Sequence, residues 1–268
     1  VLYESAISKM LVEEDLFVTS ENRYALSMLY YAEKRILEFF TRRKDEKNRK
    51  IIATFDEYLI KKQETLGFEL STEQKKAVEL INNGDKTLFL IGYAGTGKST
   101  SSRAILELLE ETMSYDDIMT IALSGIASQR ISDTTGYNSS TIQSLIMKHK
   151  EKDFFPYKAI LLDEASMVNS VTFNQIVSKI DDDTIFIIVG DDGQLPAIGA
   201  GNVLADAIKY ELAPICKLTK IYRQNENQAI AVIANDIRKG EVPAYKEEYE
   251  DFKFIDVSIS NYYALKNS

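Results

Sequence analysis

Residues Thr87–Thr100 read TLFLIGYAGTGKST, and the fold is decided by this stretch. Thr87–Ile91 is a short apolar run of strand character that ends at a glycine. Gly92–Ser99, GYAGTGKS, is a full match to G-x-x-x-x-G-K-[ST], and the periodicity predicts a helix over Lys98–Met113. Strand, glycine loop and helix in that order make a phosphate cradle. Gly92, Gly95 and Gly97 let the backbone turn so that its N–H groups face inward at a helix N-terminus. Lys98 is then expected to reach the β- and γ-phosphates and the Ser99 hydroxyl to bind magnesium, with Thr96 and Thr100 in support. The implied ligands are the phosphates of a nucleotide and Mg2+.

Outward from this loop the pattern repeats. Ile118–Leu123, Ala159–Leu162, Thr184–Val189 and, more weakly, Cys216–Leu218 are short apolar runs, with helical stretches at Val171–Ile180 and Gln228–Lys239. Such alternation predicts a parallel sheet buried on both faces, in which ligands sit beyond the carboxyl ends of the strands. Two further polar segments fall at such ends. In Ile160–Met167, ILLDEASM, Asp163 is placed to hold magnesium through water, and Glu164 to orient and deprotonate an attacking water. In Ile188–Pro196, IVGDDGQLP, Gln194 is placed to touch the γ-phosphate or that water.

Composition excludes several other classes. With 45% hydrophobic and 27% charged residues the chain is not a disordered one. Its apolar runs fall far short of the roughly 20 residues a membrane span needs. One cysteine, Cys216, excludes an internal disulfide framework and a cysteine zinc site and suits a reducing compartment. One histidine, His149, excludes a histidine-rich metal site. Lys and Arg total 32 against 41 Asp and Glu, so the net charge of −9 argues against a surface that is wholly a phosphate-binding field, while leaving room for a local basic groove. Cys216 is expected in the core and His149 at the surface. The basic run Arg42, Arg43, Lys44, Lys47, Arg49, Lys50 is expected to be a solvated face.

Taken in order, these motifs resemble those of superfamily-one DNA helicases, in the RecD-like and Dda-like branch. Leu70–Val78, LSTEQKKAV, resembles the Q motif, which implies that Gln74 reads adenine. Gly92–Thr100 resembles motif I, Asp163–Met167 motif II and Gly190–Pro196 motif III. Leu218–Gln224, LTKIYRQ, resembles motif IV, which implies that Tyr222 stacks on the base and Arg223 contacts the γ-phosphate. Ala122–Ser128, ALSGIAS, stands at motif Ia and Thr141–Leu145, TIQSL, at motif Ib, so Ser124, Gly125, Thr141 and Gln143 are the implied DNA contacts. Both segments depart from the family pattern. Ser124 replaces the usual threonine, Ile126 the lysine and Gln143 the histidine, keeping small polar groups and losing a charge.

The resemblance implies an α/β fold of the P-loop NTPase, RecA-like type, a parallel sheet with helices on both faces, preceded by a small all-α domain. The expected divisions are an N-terminal helical domain over 1–68, a RecA-like ATPase motor over 69–245, and the start of a following segment over 246–268. Only 268 − 224 = 44 residues follow Gln224, too few for a second motor domain, so the sequence reads as a fragment whose partner domain lies elsewhere in a full-length protein. Any strand-separating pin must fit within Met147–Lys158. The implied activity is ATP-dependent translocation along single-stranded DNA, 5′→3′, in the cytoplasm of a bacterial or phage-infected cell, with unwinding only in the complete motor. The alternative is a nucleotide-gated docking module without turnover.

Overall fold

The computed structural model describes residues 2–18 and 23–220, together with Ile233, Asp236, Ile237, Gly240 and Glu241. The chain opens with α1 (Leu2–Val12), a short antiparallel pair β1 (Leu16–Val18) and β2 (Tyr24–Leu26), and the long helix α2 (Ser27–Arg43). Helices α3 (Phe55–Leu66) and α4 (Thr72–Asn82) lead to β3 (Thr87–Gly92) and α5 (Lys98–Leu109). Then follow β4 (Ile118–Ala122), α6 (Gly125–Thr135), β5 (Ser139–Thr141), α7 (Ile142–Lys148), β6 (Ala159–Leu162) and α8 (Ser170–Val177). The last elements are β7 (Ile185–Gly190), α9 (Val203–Lys209) and β8 (Ile215–Leu218).

Strands β3 to β8 form one six-stranded sheet in the order β5-β4-β6-β7-β3-β8, and every pairing in it is parallel. The strands predicted from the apolar runs are all present. β5, Ser-Ser-Thr, gave no apolar signal because it is a three-residue, half-buried edge strand. Side chains alternate between two cores, as strand geometry requires. Phe89 and Ile91 of β3, Ile160 and Leu162 of β6, and Phe186 and Ile188 of β7 face α2, α7, α8 and α9. Leu88, Leu90, Leu161, Ile187 and Val189 face α3, α4, α5 and α6. Helices therefore cover both faces.

The N-terminal segment differs from a separate all-helical domain in two ways. It contains the β1–β2 ladder. Its main helix is also part of the core of the sheet: Phe39 and Phe40 pack edge-on to each other and reach Phe186, Phe89 and Phe173. Phe39 and Phe40 are buried in the same core as strand residues Phe89, Ile160 and Phe186, so the sheet supplies the surface that covers them. By compactness the chain divides into units at Ile221/Tyr222; the expected 245/246 boundary lies outside the described residues.

Arg43 is a correction to the expected solvated basic face. It is 2% exposed. Its Nε donates to Thr87 Oγ1 at 3.1 Å, and its two terminal nitrogens donate to the carbonyls of Asp181, Asp182, Lys86 and Thr184. The guanidinium fork adds donors to backbone carbonyls just before β3 and β7, two of which, Lys86 and Asp181, also accept the backbone N–H groups of Phe186 and Thr184. Burial lowers its pKa to about 10, with Asp182 opposing that fall, so it stays charged at neutral pH. The adjoining 44–54 segment is docked as well. Asn82 holds the backbone of Ile52 through both ends of its carboxamide. At Gly84, with φ +93°, an added Cβ would collide with the Asn48 carbonyl oxygen, so only glycine lets the two segments approach.

His149 is also buried rather than at the surface, 6% exposed, with its ring against Phe155 and Tyr157. The stretch after α7 is held down by Lys179, whose Nζ donates to the carbonyls of His149, Lys150 and Lys152. Cys216 is in the core, as expected, with its thiol on the Glu73 carbonyl and its pKa pushed by burial up to about 11.

Candidate functional site

The sheet order brings the three polar loops together. β7 lies between β3 and β6, so the glycine loop, the Gly190–Pro196 loop and the Asp163–Glu164 pair leave the carboxyl ends of three adjacent strands. Between them is a small cleft of about 90 Å³, lined by Lys98, Ser99, Asp163, Glu164 and Gln194 together. A larger hollow of about 660 Å³ between α3 and α5 holds Glu57, Glu107, Glu110 and Glu111 with Lys61 and Lys62. That excess of carboxylates would repel a phosphate, so the smaller cleft is the candidate site.

The loop is shaped as its glycines allow. Gly95 and Gly97 take φ +84° and +86°, and Gly97 caps α5. A Cβ at Gly92 would run into Thr96 Oγ1. Thr96 is buried and its hydroxyl donates to the Tyr93 carbonyl at 2.8 Å, so it closes the loop from beneath. Lys98 Nζ donates to the carbonyls of Gly92 at 2.6 Å and Tyr93 at 3.0 Å, bent over the loop that it would serve. Ser99 is exposed toward the cleft and Thr100 half-buried behind it.

Across the cleft, Asp163 Oδ1 accepts the Glu164 N–H at 2.9 Å. Glu164 sits in the left-handed region at φ 52°, ψ 38°, a conformation unusual for a non-glycine residue and held by this bond. Burial pushes the Asp163 pKa up; the Glu164 N–H pulls against it, the Glu164 charge adds to the rise, and the charges of Lys98 and Arg130 oppose it. A half-buried carboxyl of this kind, sharing the cleft with the Ser99 hydroxyl, fits a magnesium site. Gln194 is tied to the acidic segment, its Oε1 accepting from Ser166 Oγ at 3.0 Å. Sequence reasoning missed Arg130 and Asp191, which line the same cleft. Asp191 directly follows the last residue of β7 and could have been found by position; Arg130, in mid-helix, carried no such signal.

Gln74 does not reach the cleft. It is 3% exposed and completes a capping box with Ser71, its Oε1 accepting the Ser71 N–H at 2.9 Å. Neighbouring Glu73 clamps the end of β8, accepting from the backbone N–H and hydroxyl of Thr219 and the N–H of Lys220. Burial raises the Glu73 pKa, but the Thr219 and Lys220 bonds outweigh it and leave the group lowered. Tyr222 and Arg223 lie outside the described residues.

The motif Ia and Ib residues occupy the next two strands of the same rim. Ala122 of β4 pairs in register with Thr141 of β5. Ser124 caps α6, accepting the Ala127 N–H at 3.1 Å, and Gly125 starts that helix in the open. Thr141 caps α7, accepting the Ser144 N–H at 3.2 Å, and Gln143 is exposed. Small polar groups at exposed helix starts thus continue the rim beyond the acidic pair.

This geometry defines a P-loop NTPase core. Residues 69–258 match the AAA domain family, and the chain belongs to it. It is 28% identical over 243 residues to the ATP-dependent RecD2 DNA helicase of Deinococcus radiodurans, which covers 86% of this chain and 32% of that one. It is 30% identical over 202 residues to the ATP-dependent DNA helicase RRM3 of Saccharomyces cerevisiae, 65% of this chain and 28% of that one. To the RecBCD subunit RecD of Mycolicibacterium smegmatis it is 27% identical over 209 residues, 66% and 37% of the two chains. Among solved structures, a Bacteroides Pif1 helicase in complex with ADP-AlF3 and single-stranded DNA superposes with a TM-score of 0.48 at 24% identity, covering 65% of this chain and 47% of that one. The chain spans about a third of the length of the curated relatives that it matches.

Proposed function

We propose that this chain is the first motor domain of an ATP-dependent DNA helicase that moves 5′→3′ along single-stranded DNA. The observation that carries the reading is the convergence of Lys98, Ser99, Asp163, Glu164 and Gln194 on one small cleft. The loop N–H groups and Lys98 would hold the β- and γ-phosphates, and Ser99 with Asp163 would hold Mg2+. Magnesium supplies neutralisation of the charge on the transferring phosphoryl group. Glu164 takes a proton from the water that attacks the γ-phosphorus, while the bond from that phosphorus to the bridging oxygen breaks and ADP leaves. Gln194, through its bond to Ser166, passes the change from one strand end to the next. Tyr222 is assigned to the base and Arg223 to the γ-phosphate, and Gln74 keeps an adenine-reading role only if the capping box leaves its amide nitrogen free to reach the base.

Single-stranded DNA would run over the rim formed by Ser124, Gly125, Thr141 and Gln143, its phosphates facing the exposed helix start at Gly125. A second RecA-like domain of the full-length protein would close on the nucleotide and complete the strand path. Without it this chain is assigned nucleotide binding, weak hydrolysis and no unwinding. The motor is assigned to the cytoplasm of a bacterial or phage-infected cell. No helix among the described residues is long and apolar enough to cross a membrane.

Phosphate release from MgATP, with and without oligo(dT), tests this in a chain carrying its second motor domain, beside Lys98→Ala. The expected outcome is stimulation by single strands that Lys98→Ala abolishes. ATP binding with no stimulation would refute the motor and leave a nucleotide-gated docking module.

A further inference from the structure

Arg130 is the second cation of the cleft, and the proposed hydrolysis leaves it unused. It lines the cleft together with Ser99, Asp163 and Glu164, and its charge is felt at the Asp163 carboxyl. The next residue, Ile131, is 2% exposed in the core and fixes the rotation of α6, so Arg130 is held on the cleft side of the helix. Its own carbonyl accepts from Thr134 Oγ1 at 2.9 Å, but its guanidinium makes no hydrogen bond or ion pair within 4 Å among the described residues. The other cation, Lys98, is committed to loop carbonyls. Two carboxylates of the cleft thus share it with an arginine whose side-chain donors are all available among the described residues.

We propose that Arg130 binds the terminal phosphate of a nucleoside triphosphate in this cleft and so distinguishes triphosphate from diphosphate within the single domain. This rests on the cleft being a nucleotide site. A guanidinium suits this task because its planar donors can take two phosphoryl oxygens at once and its charge does not titrate near neutral pH. ADP leaves the position that Arg130 reaches empty of anion, so removing the arginine weakens only the triphosphate. A lysine keeps the charge without the fork and restores part of the difference.

Equilibrium titrations of the 268-residue chain with mant-ATPγS and mant-ADP in Mg2+ decide it. In Arg130→Gln, triphosphate affinity falls about tenfold relative to wild type. ADP affinity stays within about twofold. Arg130→Lys lies between the two for triphosphate. An unchanged ratio of the two affinities, whether both are kept or both are lost, overturns the role of Arg130. If wild type binds neither nucleotide, the nucleotide site itself fails and Arg130 with it. Binding of both by wild type with loss of both in Lys98→Ala upholds the site, and the ratio in Arg130→Gln then tests the arginine alone. Thermal melts of each variant show that the chain is folded in every titration.

Discussion

Asp163 carries the tension between stability and chemistry at the level of a single side chain. Its raised pKa means that the folded chain holds a proton more tightly there than the unfolded chain does. The group therefore works against folding at pH values above the ordinary carboxylate range, and that cost disappears as the pH falls below it. Asp163→Asn removes the cost at neutral pH. We expect a higher melting temperature by scanning fluorimetry together with loss of magnesium-dependent hydrolysis; a lower melting temperature would show that the carboxylate is well compensated. His149 behaves in the opposite sense as a base. Burial lowers its pKa, and the nearby Lys152, Lys148 and Lys179 charges lower it further, while neither ring nitrogen has a hydrogen-bond partner among the described residues. The unfolded chain protonates first, so stability is lost as the pH falls through the ordinary histidine range and down to the lowered value. Melting curves between pH 7.5 and 5.5 should show that loss, and His149→Phe should flatten this part of the profile.

Helix α2 shows what one element contributes. Its buried face gives Ile36, Phe39 and Phe40 to one core, and its last residue, Arg43, bonds to the backbone below two strands. Phe40→Ala is expected to cost about 3–5 kcal/mol, since the ring is fully buried and touches other rings. Arg43→Leu takes the donor from the buried Thr184 carbonyl, while the Lys86 and Asp181 carbonyls keep backbone N–H donors, and should cost about 1–3 kcal/mol. Urea unfolding of both variants measures these losses. If α2 were an independent domain, either change would unfold residues 1–68 first and leave the sheet's transition in place; one shared transition is expected instead.

For the whole molecule, the order of the strands sets the function. β7 enters between β3 and β6, and β4 and β5 extend the sheet on the far side of β6. The rim therefore runs from the glycine loop through Gln194 and the acidic pair to Ser124 and Thr141, from phosphate chemistry to the proposed strand path, with no break. Neighbouring strand ends are linked by short bonds such as Ser166 to Gln194. The apolar runs and the glycine spacing are local signals, and so the strands, the phosphate loop and its two companion loops were legible in the sequence. The burial of Arg43 and His149 was not, because a run of charge looks like a solvated face until the carbonyls and rings that bury it are known.

By itself the sequence determined the local chemistry: a loop that only glycines can turn, a lysine and serine at a helix start, carboxylates and a glutamine at strand ends. These depend on residues within one turn or one strand of each other, where spacing alone dictates geometry. The tertiary structure alone decided which strand lies beside which, that α2 belongs to the core of the sheet, and that Arg130 stands in the cleft. Those outcomes depend on contacts between residues far apart in the chain, settled by burying both faces of the sheet at once, and no short stretch of sequence records them.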